Sequence, residues 1–187
     1  MIETELGQLR RSHYSNDLNA SMDGTQVTVM GWVLTVRGHG NISFATVRDK
    51  NGDLSIVAKK GDCPDEIREK ISSLKAHSSI GVTGTIKASE KAPSGFEIIP
   101  TELRVFSEVT TIPPFEPTAK TVKNIDTRLE VRPIDLRRNI LQHVFKTRSL
   151  VLKTIRDYFN DQNFVEINTP KMIATATEGG AALFPIF

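Results

Sequence analysis

A small five-stranded β-barrel followed by the helical start of an α+β unit is the fold class that this 187-residue sequence predicts. Three observations predict it. Five short β-branched runs fall between Gln26 and Phe106, with one helical stretch between the third and the fourth. A Pro-rich stretch, Ser107 to Asn124, follows them. From Ile125 onward the text becomes charged and then helical.

Each element has its own local reason. Residues Met1 to Asp23 are polar, and the cluster Arg10, Arg11, His13 and Tyr14 reads as an arm packed on the first domain. Gln26–Val36 (QVTVMGWVLTV) alternates and is β-branched, so it predicts a strand, with Gly31 marking a bend or bulge. Arg37 to Asn41 reads as a turn. Ile42–Arg48 is a second strand, Asn51-Gly52 a hairpin signal, and Leu54–Ala58 a third strand. Pro64–Ala76 predicts a helix. Pro64 suits its first turn, Asp65 and Glu66 suit its positive end, and Ile67, Ile71 and Leu74 recur at helical spacing. Ser79–Ile86 is the fourth strand. After the turn-rich Lys87–Gly95, Phe96–Phe106 is the fifth, interrupted by Pro100. Three meandering strands, a helix and two strands is the order of an OB-fold, a barrel whose strand 2–3 face meets oligonucleotides.

Residues 1–106 therefore read as the barrel, 107–124 as a hinge stiffened by Pro113, Pro114 and Pro117, and 125–187 as the start of a second domain. Ile125–Asn139 reads as a salt-bridged connector. Ile140–Gln162 predicts a long helix with an apolar stripe wider than a small core needs, so part of it is expected to meet a partner subunit. Asn163 suits a left-handed stop. Phe164, Val165 and Ile167 form a short strand leading to Pro170. Glu178 then stands alone before Gly179-Gly180, where its carboxylate would meet either solvent or a cationic ligand group.

Composition narrows the function classes. Hydrophobic content is 39% and charged content 25%, as in globular proteins. Lys plus Arg is 24 against 22 for Asp plus Glu, a net charge of +2. Generic nucleic-acid affinity is therefore modest, and any basic surface must come from local clustering. The single cysteine and four histidines give no zinc pattern, so no metal site is expected. No apolar run is long enough to span a bilayer, no signal peptide is present, and a reducing, cytoplasmic setting is the expectation. No Walker loop, dinucleotide fingerprint or nucleophile elbow appears, so no catalytic residue is assigned. Phe44 and Trp32 are aromatic strand residues able to stack on unpaired bases, with Arg37, Arg48, Lys50, Lys59 and Lys60 nearby for phosphates. Against that, Trp32 beside Gly31 reads as barrel core, and alternation lets Phe44 point either way.

Longer strings carry a resemblance. Gly31-Trp32-Val33, Phe44 to Asp49, Gly95 to Ile98, Asp126 to Leu129, Asp135 to Arg138, Phe164 to Lys171 and Ala174 to Gly180 together resemble aspartyl-tRNA synthetases of the archaeal and eukaryotic type. These are class II aminoacyl-tRNA synthetases. The resemblance covers nearly the whole chain and implies an anticodon-binding barrel, with Phe44 stacking on the middle anticodon base. Glu97 and Arg37 would lie by the anticodon. Ser55 stands where the family usually has Gln, so base reading there is expected to be weaker or water-mediated. Pro93 stands where some archaeal relatives carry a Lys associated with tolerance of the asparagine tRNA. Its lack of charge implies discrimination for the aspartate tRNA. The long helix and the strand ending at Pro170 resemble motif 1, a homodimer interface. Glu178 matches the acid that contacts bound aspartate, where a carboxylate suits an ammonium group.

The activity implied is aspartate–tRNA ligation: ATP-dependent formation of aspartyl-adenylate, then transfer to tRNA. Its partners would be aspartate, the aspartate tRNA either by itself or together with the asparagine tRNA, and a second subunit. ATP and Mg2+ would be held by residues beyond Phe187, so the 187 residues are expected to supply the anticodon-binding barrel and the motif 1 dimer interface, and not catalysis. Two other readings stand beside this one. One is an asparaginyl-tRNA synthetase, which shares barrel and hinge. The other is a non-catalytic tRNA- or single-strand-binding barrel with a dimerising tail.

Overall fold

The computed structural model describes residues 7, 9–119 and 121–170. The chain divides into two compact units, Met1–Ile112 and Pro113–Phe187.

In the first unit, five strands close into a barrel in the order β1-β2-β3-β5-β4. They are β1 (Gln26–His39), β2 (Ile42–Arg48), β3 (Asp53–Lys59), β4 (Ser79–Ala88) and β5 (Phe96–Ser107). The ladders are antiparallel except β3–β5, which closes the ring in parallel through Ile56 and Ile98. Strand alternation sends Val27, Val29 and Val33, then Ala45 and Val47, Leu54 and Ile56, Ile80 and Val82, and Ile98 into one apolar core. Helix α1 (Asp65–Ser73) lies between β3 and β4 in sequence and buries Ile67 and Ile71 in that core. Closure leaves the sheet with no free edge.

Three details of β1 and β5 differ from the sequence expectations. The turn after β1 is only Gly40 and Asn41, and the strand runs on through Arg37 to His39. The irregularity in β1 is not at Gly31. Val33 pairs with Val47 and Thr35 with Thr46, so Leu34 is an extra, bulged residue. Gly31 answers a different need, because a Cβ there would sit 2.3 Å from the Arg48 carbonyl oxygen. Pro100 does not interrupt β5. It pairs opposite Gly84, next to a register shift that absorbs its missing donor.

The N-terminal arm packs on the barrel as expected. Leu9 and Leu18 are buried, and the Ser12 backbone N–H donates to the Thr28 carbonyl. Asp49 fastens the arm. Its carboxylate accepts from the Ser15 backbone N–H (2.6 Å) and Oγ (2.7 Å), and from the N–H groups of Asn51 and Gly52. Burial pushes this carboxyl up, but the four hydrogen bonds outweigh it and hold Asp49 below the usual aspartate value.

The second unit holds α2 (Ile125–Glu130), α3 (Arg132–Asp135) and α4 (Asn139–Asp161). The charged connector is the expected salt-bridged one, centred on the fully buried Asp135. Arg128 grips it through two nitrogens at 3.0 and 3.2 Å, Arg132 reaches it at 3.1 Å and Arg138 lies 3.6 Å away. Burial raises the Asp135 carboxyl and the three guanidiniums lower it further, so it titrates below the usual value. Asn163 takes the left-handed conformation expected of a helix stop, at φ 63°. The short strand expected at Phe164–Ile167 does not form, since a strand needs a partner and no ladder is present there among the described residues. Among the described residues no helix is long and apolar enough to cross a membrane.

Candidate nucleic-acid interface

The strand order sets up one outward groove of about 520 Å³ at the end of the barrel where β1, β2 and β3 run side by side. Phe44 forms its floor. Its neighbours Ser43 and Ala45 are buried, so pleating turns the ring outward, and it is 38% exposed. An outward aromatic in a strand is expensive unless something covers it, and it offers a flat apolar face to a base.

The bulge at Leu34 decides what stands beside that ring. Upstream of it, Val29 and Val33 point inward; under unbroken alternation, with Leu34 paired in the ladder, Arg37 would follow them in. With it, Arg37 comes opposite Phe44 on the outer face, and Thr35 comes opposite Thr46, with Oγ1 atoms 3.2 Å apart. On the other flank, Phe44 pairs with Val57 and Thr46 with Ser55. Ser55 thus extends a row of three hydroxyls, Thr35, Thr46 and Ser55, across three strands.

The wall is the loop before β5. Its ends are tied by the Ser89 N–H to the Gly95 carbonyl at 2.9 Å, and Gly95 adopts φ 78°, open mainly to glycine. This turn buries Ala92 and presents Lys91 and Pro93 to the groove. Glu97 follows on β5, opposite Lys87, and lines the same groove. All five barrel positions singled out from sequence, Arg37, Phe44, Ser55, Pro93 and Glu97, therefore line one cavity. Sequence reading missed Thr35, His39 and Lys91, which line it too. His39 had been assigned to a turn, and Lys91 gave no signal beyond its charge. Arg37, Lys91 and Glu97 have no hydrogen bond or ion pair among the described residues, so two cations and one acid are left to meet a ligand. That set suits a single-stranded nucleotide: a ring for the base, hydroxyls and a carboxylate for its edge, and cations for its phosphates.

Trp32 is not barrel core. It lies in phase with Met30 on the outer surface, in a second groove with Tyr14, Lys50 and Phe106. The remaining site residues belong to the second unit. Pro170 is exposed at the end of the described residues, and Glu178 lies outside them. Helix α4 buries none of its residues, and Ile140, Val144, Val151 and Ile155 are all about half exposed or more. Among the described residues no cluster of three His, Cys, Asp or Glu side chains would hold a metal ion.

Comparison with known proteins matches two separate parts of the chain. Residues 27–106 match the family model of the OB-fold nucleic acid binding domain, and residues 124–187 match that of class II tRNA synthetases (D, K and N). The chain is 46% identical over 177 residues to an aspartate-tRNA(Asp/Asn) ligase of Methanocaldococcus jannaschii, covering 95% of this chain and 40% of that protein. A ligase of the same name from Methanothermobacter thermautotrophicus is 45% identical over 181 residues, covering 97% of this chain and 41% of that protein. The chain thus spans about two fifths of the length of these relatives. Among solved structures, asparaginyl-tRNA synthetase from Pyrococcus horikoshii with asparaginyl-adenylate superposes with a TM-score of 0.83 at 28% identity, covering 94% of this chain and 40% of that one. Aspartyl-tRNA synthetase from Entamoeba histolytica gives 0.77 at 26% identity, covering 88% of this chain and 40% of that one.

Proposed function

We propose that this chain belongs to the class II tRNA synthetases of the D, K and N group, whose model residues 124–187 match, and that its protein joins aspartate to tRNA, with the barrel holding the anticodon loop. The observation that carries the barrel's role is the single groove shared by Phe44, Arg37, Ser55, Pro93 and Glu97. In this reading the middle anticodon base stacks on Phe44. Ser55 and Glu97 read its edge, Ser55 through water because a hydroxyl reaches less far than an amide. Arg37 and Lys91 take phosphates.

Aspartate is favoured over asparagine as the amino acid because the relatives at 44–46% identity are named aspartate ligases, whereas the asparaginyl structure is 28% identical. Those names cover both the aspartate and the asparagine tRNA, which supports use of both acceptors here. The narrower use expected from the uncharged Pro93 is the alternative outcome of a charging assay, and Pro93→Lys is expected to change the ratio between the two tRNAs. Glu178 is the proposed contact for the substrate ammonium. The apolar faces of α4, with Pro170 beyond them, are the proposed subunit interface of a cytoplasmic homodimer. ATP and Mg2+ belong to the proposed reaction by family; among the described residues no three His, Cys, Asp or Glu side chains come together to hold a metal ion.

The test is a titration of the 187-residue protein with the aspartate anticodon stem-loop and with an unrelated stem-loop. A preference for the first that Phe44→Ala reduces about tenfold or more supports the reading, since stacking on one aromatic contributes about 1–3 kcal/mol. Equal affinity for both loops sinks it.

A further inference from the structure

The groove around Trp32 has no part in that reading. It occupies about 470 Å³ at the far end of the β1–β2 ladder from Phe44. Its floor is apolar, made by Met30, Trp32, Ile80 and Phe106. Phe106 lies over Gly81, where a Cβ would stand 2.7 Å from the ring, so the floor is held open for an aromatic. The rim is cationic. Lys50 Nζ lies 4.1 Å from the centre of the Tyr14 ring and has no carboxylate partner among the described residues. Arg11 also lies on Tyr14, at 4.3 Å, but is occupied: it donates to the Met30 carbonyl and sits 3.9 Å from Asp49. Lys50 is thus the cation left for an outside anion.

Trp32 and Phe44 share one face. Trp32 pairs with Arg48, and the bulge at Leu34 brings the outward residues of both halves of β1 to the same side. The hydroxyl row Thr35, Thr46 and Ser55 lies between the two aromatics. Four steps along β2 lead from Phe44 to Arg48, about 13 Å at roughly 3.3 Å per residue. A few unstacked nucleotides cover that span. An aromatic floor with one cation lacking a carboxylate partner at its rim, on the same outer face as Phe44, fits a nucleobase and its phosphate.

We infer that this groove is a second stacking platform, where Trp32 takes an unpaired base of the RNA whose anticodon lies on Phe44, and Lys50 takes its phosphate. The inference rests on the anticodon reading, and the experiment separates the two. Trp32 is the only tryptophan of the chain, so its fluorescence reports this groove alone. Titrating the 187-residue protein with the anticodon stem-loop should quench Trp32 emission in step with binding followed by anisotropy of the labelled RNA. Lys50→Ala should weaken binding several-fold and lower the log–log salt slope by about one. Phe44→Ala should abolish preference for the matching loop while the quench at saturation persists. Saturable, loop-selective binding with unchanged Trp32 emission overturns this proposal and leaves the anticodon reading intact. No binding by either signal overturns both. A blue shift that follows protein concentration without RNA would assign the groove to a protein surface, and also overturns it.

Discussion

The barrel and helix α4 carry comparable apolar sequence and treat it in opposite ways. Val29, Ala58 and Ile98 in the barrel are fully buried. In α4 no residue is buried, and Leu150 is 63% exposed. The difference is topological. A closed sheet supplies its own cover, because each strand's inner face meets strands from the same stretch of chain. A single amphipathic helix has no second face to meet and gains stability only when another surface covers it. The barrel therefore covers its own apolar face, whereas α4 has an apolar face that nothing among the described residues covers.

Substitutions can break or sharpen this contrast. The largest effect is expected at Gly31. Valine there would press a Cβ to within 2.3 Å of a backbone oxygen that closure holds in place, so Gly31→Val should cost about 4 kcal/mol or more. A thermal melt within a few degrees of the parent would contradict it. Next comes Leu54→Ala, at a position 1% exposed, which should cost about 3 kcal/mol in urea unfolding through its cavity. In the second unit, Asp135→Ala should cost about 2 kcal/mol, less than a deeply buried ion pair because the surrounding arginines are partly solvated. Amide exchange across α2 and α3 reads that loss.

A smaller effect is expected from the arm. The folded Asp49 carboxyl titrates below its ordinary value near 3.9, so its clamp is complete above that value and is lost as pH falls through the lower, folded one. Protection of the Ser15 amide should hold at pH 5 and vanish only in stronger acid. Asp49→Ala should remove it at all pH values, for about 1–2 kcal/mol. The smallest effect is at Leu150. Leu150→Ala should change stability by no more than about 0.5 kcal/mol in a monomer. A larger loss, together with a dimer in sedimentation, would mean that α4 is covered in solution.

Much of the barrel was legible because alternation and turn residues are local signals. The Asn51-Gly52 hairpin and the helical spacing of Ile67 and Ile71 needed no knowledge of neighbours. What sequence could not reveal depends on the partner strand. The extra residue at Leu34 becomes visible only once β2 is laid beside β1. The outward direction of Phe44 follows from burial of Ser43 and Ala45, neither of which looks like core. Trp32 misled because hydrophobicity says how much a residue gains from cover, not which face supplies it. The strand expected at Phe164–Ile167 failed for the same reason: β propensity without a partner makes no ladder. Of the site, the five groove residues were named without their geometry, while Asp49, the clamp of the arm, went unnamed.

The extra residue in β1 carries a consequence for how such a barrel can change. Gln26 to Trp32, before Leu34, pair with β4, and Thr35 to His39, after it, pair with β2 along the groove of Phe44. One inserted codon therefore lets the two halves obey different selection. A one-residue slip that ironed out the bulge, with Leu34 taking the place opposite Thr46, would leave Val27, Val29 and Val33 in place, set Val36 opposite Phe44 and turn Arg37 inward. The register beyond Leu34 thus decides which side chains stand on the outer face, while the core before it keeps its contacts.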